Sequence, residues 1–208
     1  MRKLYILIGK SASGKDSIYK NLLKDPELHL KPYIGYTTRP IRTGEQNGRE
    51  YYFVTKQQMK EYEAAGLVIE KRVYHTVHGD WWYFSMDQNS LDPDAAKRDD
   101  TAREQNSQEY LYIGTLESYP PLRDYYGADV VTALYIQVDD GLRLQRALDR
   151  ERAQTSPKYA EMCRRYLGDE QDFSEEKLQA AGIERRFEND QFARCLQELK
   201  DYIRERGG

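Results

Sequence analysis

The sequence predicts an α/β fold with a mainly parallel sheet at its core. Apolar runs of strand length, KLYILI, EYLYIG and DVVTALYIQV, alternate with stretches of helical spacing, the pattern of parallel strands joined by crossover helices. The first run leads into a glycine loop, GKSASGKDS, and then a helix. At 208 residues the chain suits one domain with mobile lobes better than several independent ones.

Each element has its own local reason. KLYILIG is a buried strand bounded by Gly9. After Lys15, the spacing of Ile18, Leu22 and Leu23 places them on one helical face. KPYIGYTT is expected to form a second strand, residues 37–50 a loop rich in Arg, Gly, Thr and Glu, and YYFV a short strand. TKQQMKEYEAAG reads as a helix that Thr55 caps and Gly66 ends. LVIEKRVYHTVHGDWWYFS reads as a hairpin turning at Gly79-Asp80. Residues 87–108 hold few apolar side chains and are expected to be a flexible insertion. LESYPPLRDYYG is helical, with Pro120-Pro121 interrupting or starting it. A helix over 140–152 ends in arginines, and PKYAEMCRRYLGDEQDF resumes helical spacing. In QFARCLQELKDYI, Phe192, Cys195, Leu196, Leu199, Tyr202 and Ile203 form a stripe expected to pack in the core.

Composition narrows the function. Charged residues make up 32% of the chain and the net charge is −3, which argues against a general nucleic-acid coat. Residues 1–50 nevertheless hold ten Lys/Arg against five Asp/Glu, and residues 143–165 seven against three. Two basic zones in an acidic chain suit a small polyanion held between lobes; the plainer alternative is scattered, solvated charge. The 18 tyrosines suit amphipathic walls around a polar ligand, or half-buried packing. Cys163 and Cys195 form no CxxC or ligand-like cluster, as expected of reduced thiols in a cytoplasmic protein. LYILI is too short for a signal-peptide core, and no membrane association is expected.

The glycine loop carries the clearest chemistry. Gly9, Gly14 and Lys15 have the spacing of a phosphate-binding loop set between a strand and a helix. Amides of Gly9, Ser11, Ala12, Ser13 and Gly14 can cradle phosphate oxygens, and Lys15 can reach the β- and γ-phosphates. The residue after Lys15 is Asp16 rather than a hydroxyl, and Ser17 follows. Both are candidate ligands of a nucleotide-bound Mg²⁺, because carboxylate and hydroxyl oxygens suit that ion; the alternative reading is that Asp16 repels phosphate. In YTTRPIRTGEQNGREYYFV, Arg39 and Arg42 are candidate clamps for a phosphate monoester, and Tyr51 adds an O–H donor. The competing expectation is a surface loop whose arginines pair with Glu45 and Glu50. His75 and His78 read as hairpin polar residues rather than metal ligands.

TTRPIRTGEQNGREYYFV resembles the guanylate kinase signature, TTR-x-x-R-x-GE-x-x-G-x-x-Y-x-FV, with Thr37, Thr38, Arg39, Arg42, Gly44, Glu45, Gly48, Tyr51, Phe53 and Val54 in register. The loop GKSASGKDS resembles that family's GPSGxGKST. The resemblance implies a P-loop kinase with a monophosphate-binding lobe at about 36–90 and a helical lid at about 146–175. It implies transfer of the ATP γ-phosphoryl group to GMP or dGMP with Mg²⁺, by a monomer or homodimer, without nucleic acid. Glu70 would read guanine, and Tyr83 and Ser85 of DWWYFS would bind the acceptor. Arg146, Arg150 and Arg165 would be lid arginines, and Asn189 of RFEND an adenine-side residue. Lys15, Arg39 and these three arginines form the implied catalytic set. The chain departs from the family at YLYIGTLES, where xLDIDxQG is usual: the acids are missing and Gly114-Thr115 stands in their place. Two alternatives are a related kinase acting on another acceptor, such as ribose 1,5-bisphosphate, whose kinases also tend to carry GKDS, and a non-catalytic binding module.

Overall fold

A computed structural model describes residues 3–76, 79–87 and 108–207. The strand β1 (Lys3–Ile8) lies at the centre of a five-stranded sheet. Its neighbours are β7 (Glu109–Ile113) and β8 (Val131–Gln137), flanked outside by β2 (Lys31–Pro32) and β9 (Arg186–Glu188). Every pairing in this sheet is parallel.

Parallel sheets need cover on both faces, and β1 shows how the sequence supplies it. Tyr5 and Leu7 point into one apolar cluster, which α1 (Lys15–Lys24) joins through Ile18 and Leu22. The C-terminal helix α7 (Phe192–Gly207) joins the same cluster through Cys195, Leu199, Tyr202 and Ile203. Leu4, Ile6 and Ile8 point the other way, as the two-residue strand period requires. There they meet Tyr119 and Leu122 of α3 (Tyr119–Tyr126) and Leu178 of α6 (Glu175–Ala180). Pro120 and Pro121 start α3 rather than interrupt it, where their missing N–H groups cost nothing. Of the C-terminal stripe, Phe192 departs from expectation: it is 38% exposed at the first turn of α7.

A second sheet has the order β4-β3-β6-β5. It contains β3 (Tyr36–Thr37), β4 (Tyr52–Phe53) and the antiparallel pair β5 (Val68–Thr76) and β6 (Gly79–Met86). KPYIGYTT is therefore two strands, not one: β2 closes the main sheet and β3 opens the second. Helix α2 (Lys56–Ala64) packs on this sheet through Met59, against Tyr36, Phe84 and Met86. Thr55 and Gln58 cap α2 reciprocally through each other's backbone and side chain, a capping box. Two further helices, α4 (Asp140–Arg152) and α5 (Tyr159–Asp172), pack together and carry the second basic zone. Of the insertion expected at 87–108, residues 88–107 lie outside the described residues, as does His78.

Candidate active site

The sheet order places the site. β7 and β8 flank β1 on opposite sides, and a crevice opens at the carboxyl ends of strands where connections diverge this way. The glycine loop leaves β1 at that end. Gly14 adopts φ +89° as it enters α1, and a Cβ there would meet Asn189 Nδ2 at 2.5 Å. Only glycine satisfies both demands. Asn189 is buried and donates from Nδ2 to the Ser13 carbonyl at 2.8 Å, so it props the loop from behind. Its Oδ1 is buried with no hydrogen-bond partner.

Lys15 folds back on the loop. Its Nζ donates to the carbonyls of Gly9 (2.5 Å) and Lys10 (2.9 Å) and to Ser13 Oγ (3.3 Å). Burial pushes its pKa down to about 8, with Asp16 and Asp169 opposing that shift. Asp16 and Ser17 stand exposed at the start of α1. Residues 11–17 line an open cavity of about 500 Å³ together with Arg146, Arg150 and Arg165. The fold thus brings the loop to all three arginines expected of the lid. Arg146 is held by donating from Nη2 to the Asn189 carbonyl at 2.9 Å. Arg165 pairs with Glu161 at 2.9 Å on the exposed face of α5. Arg150 is exposed on α4.

A buried ionic knot ties this cavity to α5, and sequence reasoning missed it. Arg143 is 1% exposed and bonds Asp140 (2.9 Å), Asp169 (3.0 Å) and Glu170 (2.6 Å). Its guanidinium lies 4.1 Å from the Tyr166 ring centroid. Asp169 in turn accepts from the Ser11 backbone N–H at 2.8 Å and from Ser11 Oγ at 3.3 Å. Lys10 bonds Glu170 and Asp140. The Asp140–Arg143 helical spacing was the one local signal of this knot in the sequence.

The second sheet gathers the acceptor candidates. Arg39 is 3% exposed. Its Nε donates to Tyr83 Oη at 3.1 Å, and its Nη1 and Nη2 grip Glu45 at 3.0 and 2.8 Å. Tyr51 and Tyr83 meet edge to face at 5.5 Å between centroids, and Arg39 lies over the Tyr51 ring. Burial pushes the Tyr51 hydroxyl up to about 12, so it remains a proton donor. Arg42 stands apart, exposed, with its backbone N–H bonded to Glu45. The expected Glu45 pairing is thus present for Arg39, whereas Glu50 pairs with Arg49.

Glu70 and Ser85 sit on the neighbouring strands β5 and β6. Ser85 Oγ donates to Glu70 Oε1 at 2.6 Å. Glu70 is also gripped by Arg72, a residue sequence reasoning did not single out although it lies two positions along the same strand face. Burial works against the Arg72 charge, but Tyr112 and Glu70 outweigh it and raise its pKa above the ordinary value. His75 pairs with Asp80 at the hairpin end, 83% exposed. Among the described residues no cluster of three His, Cys, Asp or Glu could hold a metal unaided, and no helix is long and apolar enough to cross a membrane.

Comparison with known proteins matches this geometry. The guanylate kinase family model fits residues 1–81. A guanylate kinase of Porphyromonas gingivalis is 37% identical over 86 residues, 41% of this chain and 44% of that protein. The guanylate kinase of Homo sapiens is 42% identical over 65 residues, 31% and 33% of the two chains. Such matches span less than half the length of these relatives. The guanylate kinase of Dechloromonas aromatica is 30% identical over 215 residues, covering 98% of this chain and 89% of that protein. The crystal structure of guanylate kinase from Anaplasma phagocytophilum superposes with a TM-score of 0.60 at 17% identity, over 98% of this chain and 85% of that one, which shows a shared fold. With a phosphate loop facing arginines across a cavity and a near-full-length relative at 30% identity, the chain belongs to the guanylate kinase family.

Proposed function

We propose that this chain transfers the γ-phosphoryl group of ATP to the phosphate of GMP or dGMP, giving ADP and the guanine nucleoside diphosphate. The observation that carries this reading is the cavity in which loop residues 11–17 face Arg146, Arg150 and Arg165. Phosphoryl transfer runs through a charge-rich, in-line transition state, so catalysis rests on positioning and on cations placed around the transferring group. Loop amides hold the ATP phosphates. Lys15 leaves its loop carbonyls to reach them, and the three arginines close on the opposite side. The acceptor phosphate is already an anion, so no general base is required.

The second sheet with α2 would be the acceptor lobe, and α4 with α5 the lid. Arg39 and Tyr83, hydrogen-bonded to one another, with Tyr51 beside them and Arg42 at the rim, would hold the acceptor phosphate. Glu70 and Ser85 would face the base. Asn189, with an unpartnered buried oxygen beside the loop, would lie on the adenine side.

Mg²⁺ fits as a partner of the nucleotide rather than as a resident of a protein cage, given the exposed oxygen donors at the start of α1 and the lack of a self-sufficient cluster among the described residues. Asp16 and Ser17 would hold it. The ion supplies neutralisation of phosphate charge. A cytoplasmic setting and a monomeric or homodimeric state complete the reading.

The test is an ATP–Mg²⁺ assay across GMP, dGMP, AMP, UMP and ribose 1,5-bisphosphate, with Lys15→Ala as the control. Turnover of a guanine nucleotide that drops by roughly 10²–10³-fold in the control supports the proposal. No turnover of either guanine nucleotide refutes it, and exclusive turnover of ribose 1,5-bisphosphate would replace it.

A further inference from the structure

The ionic knot presses a carboxylate onto the phosphate loop. Asp169 lies near the end of α5; its Oδ2 accepts from the Ser11 backbone N–H at 2.8 Å, and its Oδ1 accepts from Ser11 Oγ at 3.3 Å. Arg143 Nη1 donates to the same Oδ2 at 3.0 Å. Ser11 lines the loop cavity, and its amide is one of those expected to cradle phosphate. A carboxylate therefore holds a donor that suits a phosphate oxygen. Its charge also bears on Lys15, the cation that must reach the β- and γ-phosphates: Asp169 opposes the burial that lowers the Lys15 pKa.

The charge balance of the knot shows what Asp169 adds. Three carboxylates, Asp140, Asp169 and Glu170, bond two cations, Lys10 and Arg143, which leaves one negative charge in excess. Asp140 and Glu170 each bond both cations, so they satisfy the pair without Asp169. Those two side chains are 47% and 40% exposed, and solvent screens them. The Asp169 side chain is 13% exposed. A surplus anion, shielded from water and fixed to a loop whose ligand is a polyanion, opposes the entry of that ligand. A residue needed only to hold α5 to the loop could accept from the Ser11 N–H with a neutral amide or hydroxyl oxygen, without repulsion.

We propose that Asp169 is a self-inhibitory latch: it occupies the Ser11 donors, and the phosphates of ATP bind by displacing it, which frees this end of α5 from the loop. The inference rests on the ATP-dependent kinase reading above and adds a regulation to its donor site. Arrival of ATP and release of the lid helix become one event. A ligand shifts such an equilibrium only by its differential affinity for the two states, and here the difference is the repulsion between Asp169 and phosphate. The apparent affinity for ATP is then reduced by the fraction of molecules that stand unlatched.

The test measures binding of a non-hydrolysable ATP analogue with Mg²⁺ by calorimetry, without acceptor, in the unmodified chain, Asp169→Asn and Glu170→Gln. Asp169→Asn keeps the shape and removes the charge, while Lys10 and Arg143 retain Asp140 and Glu170. Glu170→Gln removes a charge from the same knot but no contact with the Ser11 amide, because Glu170 bonds Lys10 and Arg143. The expected result is binding at least about tenfold tighter in Asp169→Asn, as the latched fraction is released. Glu170→Gln should stay within about threefold of the unmodified chain, since solvent screens that charge. A folded Asp169→Asn that gains less than about threefold, or binds more weakly, overturns the latch and leaves Asp169 as a support of the loop. An equal gain in Glu170→Gln also overturns it, because the effect is then one of general charge. If Asp169→Asn fails to fold, amide exchange in the unmodified chain decides. With the analogue bound, exchange over residues 169–172 should quicken at least about threefold as this turn loses its tie; unchanged or slower exchange overturns the latch. Any of these results leaves analogue binding, and so the broader reading, intact. No binding of the analogue to the unmodified chain or to Asp169→Asn instead refutes the broader reading and this inference together.

Discussion

Gly114→Asp would restore the acid that the family usually carries on this strand, and the structure predicts that the fold will resist it. A Cβ at Gly114 would lie 2.5 Å from Ile6 Cγ2 and 3.3 Å from Tyr112 Cε1. Carbon atoms in contact prefer about 3.5–4.0 Å, so the first contact overlaps by about 1 Å. Ile6 cannot withdraw, because it is fully buried in the central strand. Ser118 Oγ, 2.9 Å from the same Cβ, already bonds the Thr115 backbone through both its N–H and its carbonyl. Overpacking of this kind costs about 1–3 kcal/mol, and an unpaired carboxylate at a buried position adds to it. We expect Gly114→Asp to lose about 2–4 kcal/mol in urea unfolding, and Gly114→Ala to lose the overpacking part alone. A loss below about 0.5 kcal/mol for both variants would refute the claim that packing at this strand end excludes a side chain.

Three other outcomes follow from the site. Burial holds the free Lys15 at about 8, so below that pH the ammonium is already present and ATP affinity should be flat. Above it, binding must take up a proton, and affinity should fall roughly tenfold per pH unit until the pKa of the complex is reached. Calorimetry at pH 8.5 in two buffers of different ionisation enthalpy measures that uptake, and its absence refutes the shift. Arg143→Met should destabilise the chain by about 2–3 kcal/mol, less than a fully buried pair would, because Asp140 and Glu170 are 47% and 40% exposed and solvent screens them. It should also loosen the Asp169 hold on Ser11, read as faster amide exchange at Ser11; unchanged exchange there counts against the knot as a loop tether. Asp16→Ser should move the Mg²⁺ concentration for half-maximal rate several-fold while the KM for GMP stays within about twofold, and equal shifts in both would remove Asp16 from the metal.

Where neighbours in sequence make the chemistry, the chain could be read directly. KLYILIGKSASGKDS needs only a short apolar run, the glycine spacing and a following helical face, all local properties. Thr55 announces α2 because capping acts over three residues. The arginines at 146, 150 and 165 could be placed near the loop by motif, and they line its cavity. Other features depended on distant partners. β9 spans three residues, too few for a periodic signal, and exists because β8 offers a free edge. KPYIGYTT looks like one strand until two sheets compete for its ends. Arg143 looks like one more surface arginine until α5 brings Asp169 and Glu170 across it. Arg72 looks solvated until Glu70, Thr115 and Tyr112 close around it from β5, β7 and the turn that follows β7. The local pattern of the chain determined a phosphate loop on a parallel sheet, because backbone geometry and apolar spacing act over a few residues. Only tertiary packing decided which charges are buried together, since a partner that makes a buried charge tolerable can lie far along the chain, as Ser11 does from Asp169 at 158 residues.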